Sequence, residues 1–374
     1  MSEVREALRG ARRWVVKIGS ALLTDNGQGL ALAAFDQWVA QIAALKNAGH
    51  DVVLVSSGAV AEGMTRLGWH HRPDSLHQLQ AAAAVGQAGL IQAWEARFNQ
   101  YQLTTAQVLL VHEDLSSRTR YLNARQTLQS LLQYNVIPIV NENDTVATSE
   151  IRFGDNDRLS ARVATMVDAD LLILLSDVDG LFTGDPSRPD AKFIDVVEKI
   201  TPTIESMANG PVSKVGTGGM VTKLAAAKIA TQAGTEMVIA SGKRLNPITS
   251  IDDNRYTLFK CRASRKSARK QWIAGDLSQV GSIAIDQGAV RAIAENKSLL
   301  PVGVVEIRGE FERGDVVEVI NPENAVVGRG LSAYSATEAK QIIGRQANAI
   351  FEILGYDGPE NIIHRDDMVV FDNE

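Results

Sequence analysis

The chain has 374 residues, 45% of them hydrophobic and 22% charged, the balance of a globular protein long enough for two domains. Its one cysteine, Cys261, excludes an internal disulfide and a cysteine-held zinc or iron–sulfur centre. The net charge of −6 is unevenly spread: residues 271–374 carry −9 and residues 1–270 carry +3, which disfavours a phosphate-backbone surface in the C-terminal part and suits a small anionic ligand in the N-terminal part. The opening Met-Ser-Glu-Val-Arg-Glu has charges where a signal peptide needs an apolar core, and no apolar run reaches membrane-spanning length, so a cytoplasmic protein is expected.

Residues 13–19, R-W-V-V-K-I-G, read as the first strand. Lys17 interrupts its apolar pattern just before the end, where an ammonium reaches an anion over the sheet; an edge or snorkelling lysine is the plainer alternative. Residues 30–48 have helical spacing and are closed by Gly49. A second strand, 51–55, leaves through Ser56-Ser57-Gly58-Ala59, a small-residue turn into a helix whose free N–H groups favour anions. His70–His71 read as a solvated loop before Pro73. A long helix is expected over 75–100, with Ala81–Ala84 and Gly86 allowing a close approach, then a strand over 104–111 and a helix over 115–134.

The apolar run Val136 to Val140 reads as a buried strand, followed at once by Asn141, Glu142, Asn143 and Asp144. A second polar cluster, Gly154, Asp155, Asn156 and Asp157, opens a helix expected to run to Val167 with Asp155 as its N-cap. Each cluster alone is also turn chemistry. Together, beside strand ends, they suit a ligand with a cationic end, held by charge and hydrogen bonds. The strand 171–175 ends in Ser176-Asp177-Val178-Asp179-Gly180. The stretch 214–223 holds Gly216, Thr217, Gly218, Gly219, Met220, Val221, Thr222 and Lys223 ahead of a helix to Ala233. Its glycines let backbone N–H groups approach a phosphate, its threonines offer hydroxyls and its lysine a charge; a plain glycine-rich loop fits equally well. It matches neither the Walker A nor the G-x-G-x-x-G pattern.

Strands alternating with helices predict an α/β domain with a doubly wound, mainly parallel sheet and helices on both faces, over residues 1–260. A basic linker, 261–271, and a small β-rich domain, 272–374, follow.

Collinear stretches then carry a resemblance to the glutamate 5-kinases of the amino acid kinase superfamily, which end in a PUA domain. They are V-V-K-I-G-S (15–20), V-S-S-G-A-V-A-E-G (55–63), A-A-V-G-Q (83–87), N-A-R-Q-T-L (123–128), V-N-E-N-D (140–144), F-G-D-N-D-R-L-S-A (153–161), S-D-V-D-G-L-F-T-G-D-P (176–186) and G-T-G-G-M-V-T-K (216–223). S-L-L-P-V-G-V (298–304) and H-R-D-D-M (364–368) resemble the PUA end. The resemblance implies that Lys17 and the loop Thr217, Gly218, Gly219, Met220, Val221, Thr222 and Lys223 hold ATP phosphates. It also implies that Ser176 and Asp177 line the nucleotide pocket and that Ser57, Asp144 and Asn156 bind L-glutamate. Ser176 replaces a frequent threonine, and Val221 a frequent serine.

The implied reaction is phosphorylation of the glutamate side-chain carboxylate, the first step of proline biosynthesis, with Mg²⁺ carried by phosphates and water. Catalysis then rests on alignment and positive charge, with Lys17 and Lys223 on the phosphoryl group and Asp157 orienting them or capping its helix. The resemblance further implies inhibition by proline and a homo-oligomer, dimer or tetramer. Phosphorylation of acetylglutamate or aspartate, a catalytically dead amino-acid sensor, and an RNA-binding PUA protein are the competing expectations. The acidic C-terminal part counts against RNA, and the presence of both lysines against the sensor.

Overall fold

A computed structural model describes residues 3–24, 29–147, 156–208, 219–261 and 281–371. Thr217, Gly218, the expected cap Asp155 and linker positions 262–271 lie outside the described residues. The chain divides into two units, Met1–Ser116 with Asn123–Arg262, and Ala263–Glu374 with Ser117–Leu122.

In chain order come α1 (Glu3–Gly10), β1 (Arg13–Ile18), α2 (Ser20–Leu23), α3 (Leu32–Asn47), β2 (Asp51–Ser56), α4 (Ala59–Arg66), α5 (Leu76–Phe98), β3 (Thr105–Leu110), α6 (His112–Ser116), α7 (Arg118–Gln133) and β4 (Ile137–Glu142), all in the first unit but for the opening residues of α7. It continues with α8 (Asn156–Met166), β5 (Leu171–Ser176), the short strands β6 (Leu181–Phe182), β7 (Phe193–Ile194) and β8 (Val196–Val197), α9 (Pro202–Met207), α10 (Met220–Gln232), β9 (Glu236–Ser241) and β10 (Tyr256–Phe259). The main sheet has the order β3-β4-β2-β1-β5-β9-β10-β8. The strands from β3 across to β9 are parallel, whereas β10 is antiparallel to β9.

β1 lies inside this sheet, with Lys17 level with Val55 of β2 and Leu174 of β5. The chain builds β2 and β4 on one side of β1 and β5 and β9 on the other, so the direction of winding switches at β1. Ligands of open α/β sheets bind beyond the strand ends at such a switch. Alternate residues of each strand serve opposite faces. Val16 and Ile18 join the core formed with α3 and α5, where Phe35, Trp38, Trp94 and Phe98 are buried. The Phe35 and Trp94 rings stand 4.1 Å apart between centroids. Burying one such side chain stabilises by about 1.5–3 kcal/mol. Lys17 belongs to the other face, where α8 packs on β1 and β5, and α10 packs on α8.

Two departures from the sequence reading have local causes. β4 continues through Asn141 and Glu142 instead of stopping at Val140, because these residues keep the parallel ladder with Leu109 and Leu110. The helix expected over 115–134 is two helices, α6 and α7.

The second unit pairs its strands in the order β12-β11-β13-β14-β15, from β11 (Gly281–Ile285), β12 (Val304–Gly309), β13 (Val316–Ile320), β14 (Val326–Leu331) and β15 (Met368–Val370). Its own core includes Ile283, Val317, Val319, Tyr334 and Ile362. Helix Ala336–Ile342 begins with a capping box, Ser335 and Glu338, which satisfies two of the N–H groups a helix start leaves open. β12 starts at Val304, directly after a short 3₁₀ turn formed by Pro301–Gly303. Among the described residues no helix is long and apolar enough to cross a membrane.

Candidate active site

The C-terminal ends of β4, β2, β1 and β5 deliver Asn141, Ser57, Lys17 and Ser176 in a row, and α8 begins above them. Asp157, in the first turn of α8, takes the Lys17 ammonium on Oδ1 at 2.6 Å. Its Oδ2 accepts from Lys223 Nζ at 3.2 Å and from the Thr222 hydroxyl at 2.7 Å. Lys17, Asp157 and Lys223 are 7%, 2% and 5% exposed, so two cations and one anion share a nearly dry volume. Burial alone pushes the Asp157 carboxyl up. The Lys17 and Lys223 charges, with hydrogen bonds from Lys17 and Thr222, outweigh it and hold the group at about 2. Taking ions out of water costs several kcal/mol each, roughly, and Asp157 offsets part of that cost by pairing with both lysines. A Cβ on Gly19 would lie 3.3 Å from the Leu175 oxygen and 3.6 Å from Lys17 Nζ, in contact with the ammonium.

Beside this charged cluster stands a neutral one. Asn156, immediately before Asp157, donates from Nδ2 to Ser57 Oγ at 2.9 Å and to Asn141 Oδ1 at 3.0 Å. Asn141 Oδ1 also accepts the Glu142 N–H at 2.9 Å, and Asn141 Nδ2 donates to Gln87 Oε1 at 2.8 Å. Because Ser57 accepts from Asn156, its own proton is left to donate to a ligand. Asn156 Oδ1 is buried with no hydrogen-bond partner among the described residues. Such an orphan costs about 1–3 kcal/mol unless a ligand donor satisfies it.

The turn carrying Ser57 is held from several sides. Gly58 has φ +97°, a left-handed conformation that glycine alone adopts without strain. The Trp94 indole N–H donates to Ser56 Oγ at 3.0 Å. α4 and α5 touch backbone to backbone: a Cβ on Gly63 would lie 1.7 Å from the Ala82 oxygen, and one on Gly86 would lie 1.8 Å from the Ala59 oxygen.

Asp144 lies in the turn after β4, half-buried. Burial pushes its carboxyl up to about 6, against the pull of the Arg72 charge. On the far side of β1, Ser176 at the end of β5 donates to the carboxylate of exposed Asp177 at 3.1 Å.

The pattern of the amino acid kinase family matches residues 12–241, and that of the PUA domain residues 281–354. Glutamate 5-kinase of Pseudomonas paraeruginosa (strain DSM 24068 / PA7) is 52% identical over 372 residues, 98% of this chain and 100% of that one. Glutamate 5-kinase of Pseudomonas fluorescens (strain Pf0-1) is 50% identical over 371 residues, again 98% and 100%. The chain belongs to the amino acid kinase family, among the glutamate 5-kinases. Among solved structures, carbamate kinase from Giardia lamblia bound to AMP-PNP aligns with a TM-score of 0.49 at 16% identity, over 67% of this chain and 99% of that one.

Within this amino acid kinase, an enzyme of the phosphotransferase class, the structure gathers Lys17, Asp157, Thr222 and Lys223 into one cluster and Ser57 with Asn156 into another. Gly219, Met220 and Val221 lead into and open α10, one turn ahead of Lys223, and Val221 is 49% exposed. The Thr222 hydroxyl has its partners inside the cluster. Its single proton is committed to Asp157 or to the Gly219 carbonyl at 2.8 Å. Lys17 is no edge lysine, because β1 has β2 and β5 on its two sides. Gln87 and Arg72 were not among the expected site residues. Asn141 was visible inside V-N-E-N-D, but Gln87 reaches it across 54 residues of sequence, which no local pattern signals.

Proposed function

We propose that this enzyme transfers the γ-phosphoryl group of ATP to the side-chain carboxylate of L-glutamate, giving L-glutamyl 5-phosphate and ADP, the first step of proline biosynthesis. The observation that carries the proposal is the buried Lys17–Asp157–Lys223 cluster, in which one carboxylate gathers two ammonium groups at the strand ends. The glutamate carboxylate has an ordinary pKa of about 4.3 and is ionised at neutral pH, so no base has to remove a proton. A carboxylate oxygen bonds to the γ-phosphorus, the bond to the β-phosphate oxygen breaks, and ADP leaves with the electron pair. The obstacle is repulsion between two anions, and the two ammonium groups oppose it where charge develops.

Asp157 is the positioning residue of this end: it brings together lysines from β1 and α10 and keeps each aimed. Thr222 fixes the Asp157 carboxylate, while Gly219, Met220 and Val221, with Thr217 and Gly218 ahead of them, line the phosphate side. Ser176 and Asp177 line the nucleotide pocket. Asp144 and the Asn156 carbonyl oxygen take the substrate ammonium, and the Ser57 hydroxyl donates to its α-carboxylate. Among the described residues no group of three or more His, Cys, Asp or Glu side chains is placed to hold a metal, and both Asp157 oxygens are occupied. Mg²⁺ fits as an ion carried by the nucleotide phosphates and water, where it supplies charge neutralisation.

The same reading makes the protein cytoplasmic, homo-oligomeric and inhibited by proline, with a kinase domain over 1–260, a linker over 261–271 and the PUA domain over 272–374.

The test is ADP release measured side by side with L-glutamate, N-acetyl-L-glutamate and L-aspartate. Turnover is expected with glutamate and at least tenfold less kcat/KM with either analogue. One has lost its ammonium and the other is a methylene short. Equal turnover with N-acetylglutamate would overturn the assignment of Asp144 and the choice of substrate.

A further inference from the structure

We propose that Gln87 is a positioning residue for acceptor binding: acting through Asn141, it aims the carbonyl oxygen of Asn156 at the substrate ammonium. The inference rests on the reading that Asn156 binds glutamate.

The direction of every amide in the relay can be worked out from a backbone group. The Glu142 N–H can only donate, so the Asn141 atom 2.9 Å from it is the oxygen. The other terminal atom of Asn141 is therefore the NH₂. It is buried with its residue, which is 2% exposed, and its partner is Gln87 Oε1 at 2.8 Å. Asn141 Oδ1, already receiving Glu142, also receives Asn156 Nδ2 at 3.0 Å. The main-chain oxygen of Ser56, which can only accept, faces that same Asn156 nitrogen at 3.4 Å. Asn156 is thus turned with its NH₂ inward, and its Oδ1, without a partner among the described residues, remains for a ligand donor.

Gln87 stands where it does because of its neighbour. Gly86 lets α5 lie against the Ala59 carbonyl, which fixes the next side chain beside the turn that carries Ser57. Without an acceptor at position 87, the buried Asn141 NH₂ loses its partner. Rotating Asn141 is then the least costly response, and that rotation releases Asn156. Gln87 has no contact with Lys17, Asp157 or Lys223 through this relay, so its loss acts on acceptor binding and leaves phosphoryl transfer in place.

The experiment compares Gln87→Met, which keeps shape and removes the acceptor, with Gln87→Glu, which keeps an acceptor oxygen. Steady-state ADP formation and Tm are read for both, with Asn156→Ala and the double variant Gln87→Met/Asn156→Ala alongside. Gln87→Met is expected to raise the KM for glutamate about tenfold, with kcat within twofold and the KM for ATP unchanged. Gln87→Glu is expected within threefold of the parent. The double variant should be no worse than Asn156→Ala alone, since both act at one oxygen.

Three outcomes overturn the inference: an unchanged glutamate KM in Gln87→Met; a joint rise of both KM values with a fall in Tm, which marks general loosening; or Gln87→Glu as impaired as Gln87→Met. If Asn156→Ala itself leaves the glutamate KM unchanged, the underlying assignment of Asn156 fails. If Asn156→Ala raises it and Gln87→Met does not, only the role of Gln87 fails.

Discussion

The two ends of the site lie one residue apart in sequence and work by different physics. At the Asp157 end, two lysines on long stems are gathered by a single carboxylate, and what matters is the charge at one point. At the Asn156 end the groups of the hydrogen-bond relay are neutral, and what matters is which atom of each amide faces which neighbour. Phosphoryl transfer needs a field where charge builds up, and ammonium groups provide it from many rotamers. Discriminating an amino acid needs directional partners, and a chain of amides provides those only when each is locked by the next. The first turn of α8 joins the two, because consecutive residues point about 100° apart around a helix.

The largest effect is expected from removing the anion that holds the charged end together. Asp157→Ala leaves two buried ammonium groups facing each other, and breaking a buried pair costs about 3–5 kcal/mol. A fall in kcat of about a thousandfold or more is expected, with a lowered Tm, read by ADP release and thermal denaturation. A variant with parental Tm and kcat would show that the lysines need no anchor.

At the neutral end, Asn156→Ala removes a hydrogen bond to a charged ligand group. That is worth about 1.5–3 kcal/mol, or about 10- to 100-fold in the KM for glutamate. The KM for ATP should not move, and a parallel rise in both would mean that the two ends are not separable.

A smaller, pH-dependent effect belongs to Asp144. Its carboxyl titrates at about 6, so it loses its charge as pH falls through 6, and glutamate binding should weaken there. A roughly tenfold rise in KM between pH 7 and pH 5 is expected for the parent and none for Asp144→Asn, which starts weak and stays level. Stability runs the opposite way. Because the folded-state value lies above the ordinary 3.8, the protonated form stabilises the fold fully below 3.8, and that contribution is lost as pH rises through 6. Asp144→Asn should therefore be slightly more stable than the parent at pH 8, while binding glutamate less well. The smallest effect is expected at exposed Val221, where serine should change the KM for ATP by less than about threefold.

Much of the fold was legible because its central strands are continuous apolar runs bounded by glycine and polar turns. Leu171–Ser176 is fully buried, as its composition implies. What escaped was short or marginal. Tyr256–Phe259 and Met368–Val370 are four- and three-residue strands at or near sheet edges, too brief for a periodic signal. Strand order was invisible, since it depends on which runs meet in space.

At the site, the lysines and the two polar clusters could be named from sequence. The bond that makes them a unit, one carboxylate with two ammonium groups 140 and 66 residues away, could not. Gln87 and Arg72 escaped for the same reason: an amide on a long helix and an arginine in a histidine-flanked loop look like ordinary surface until their partners are known.

The most direct measurement is steady-state ADP formation by Lys17→Ala and Lys223→Ala at saturating ATP, with glutamate varied. The account predicts kcat lowered about 100- to 1,000-fold in each, with the KM for glutamate within threefold of the parent. Parental kcat in either variant would contradict it, because the buried cluster would then be structure without a part in moving the phosphoryl group.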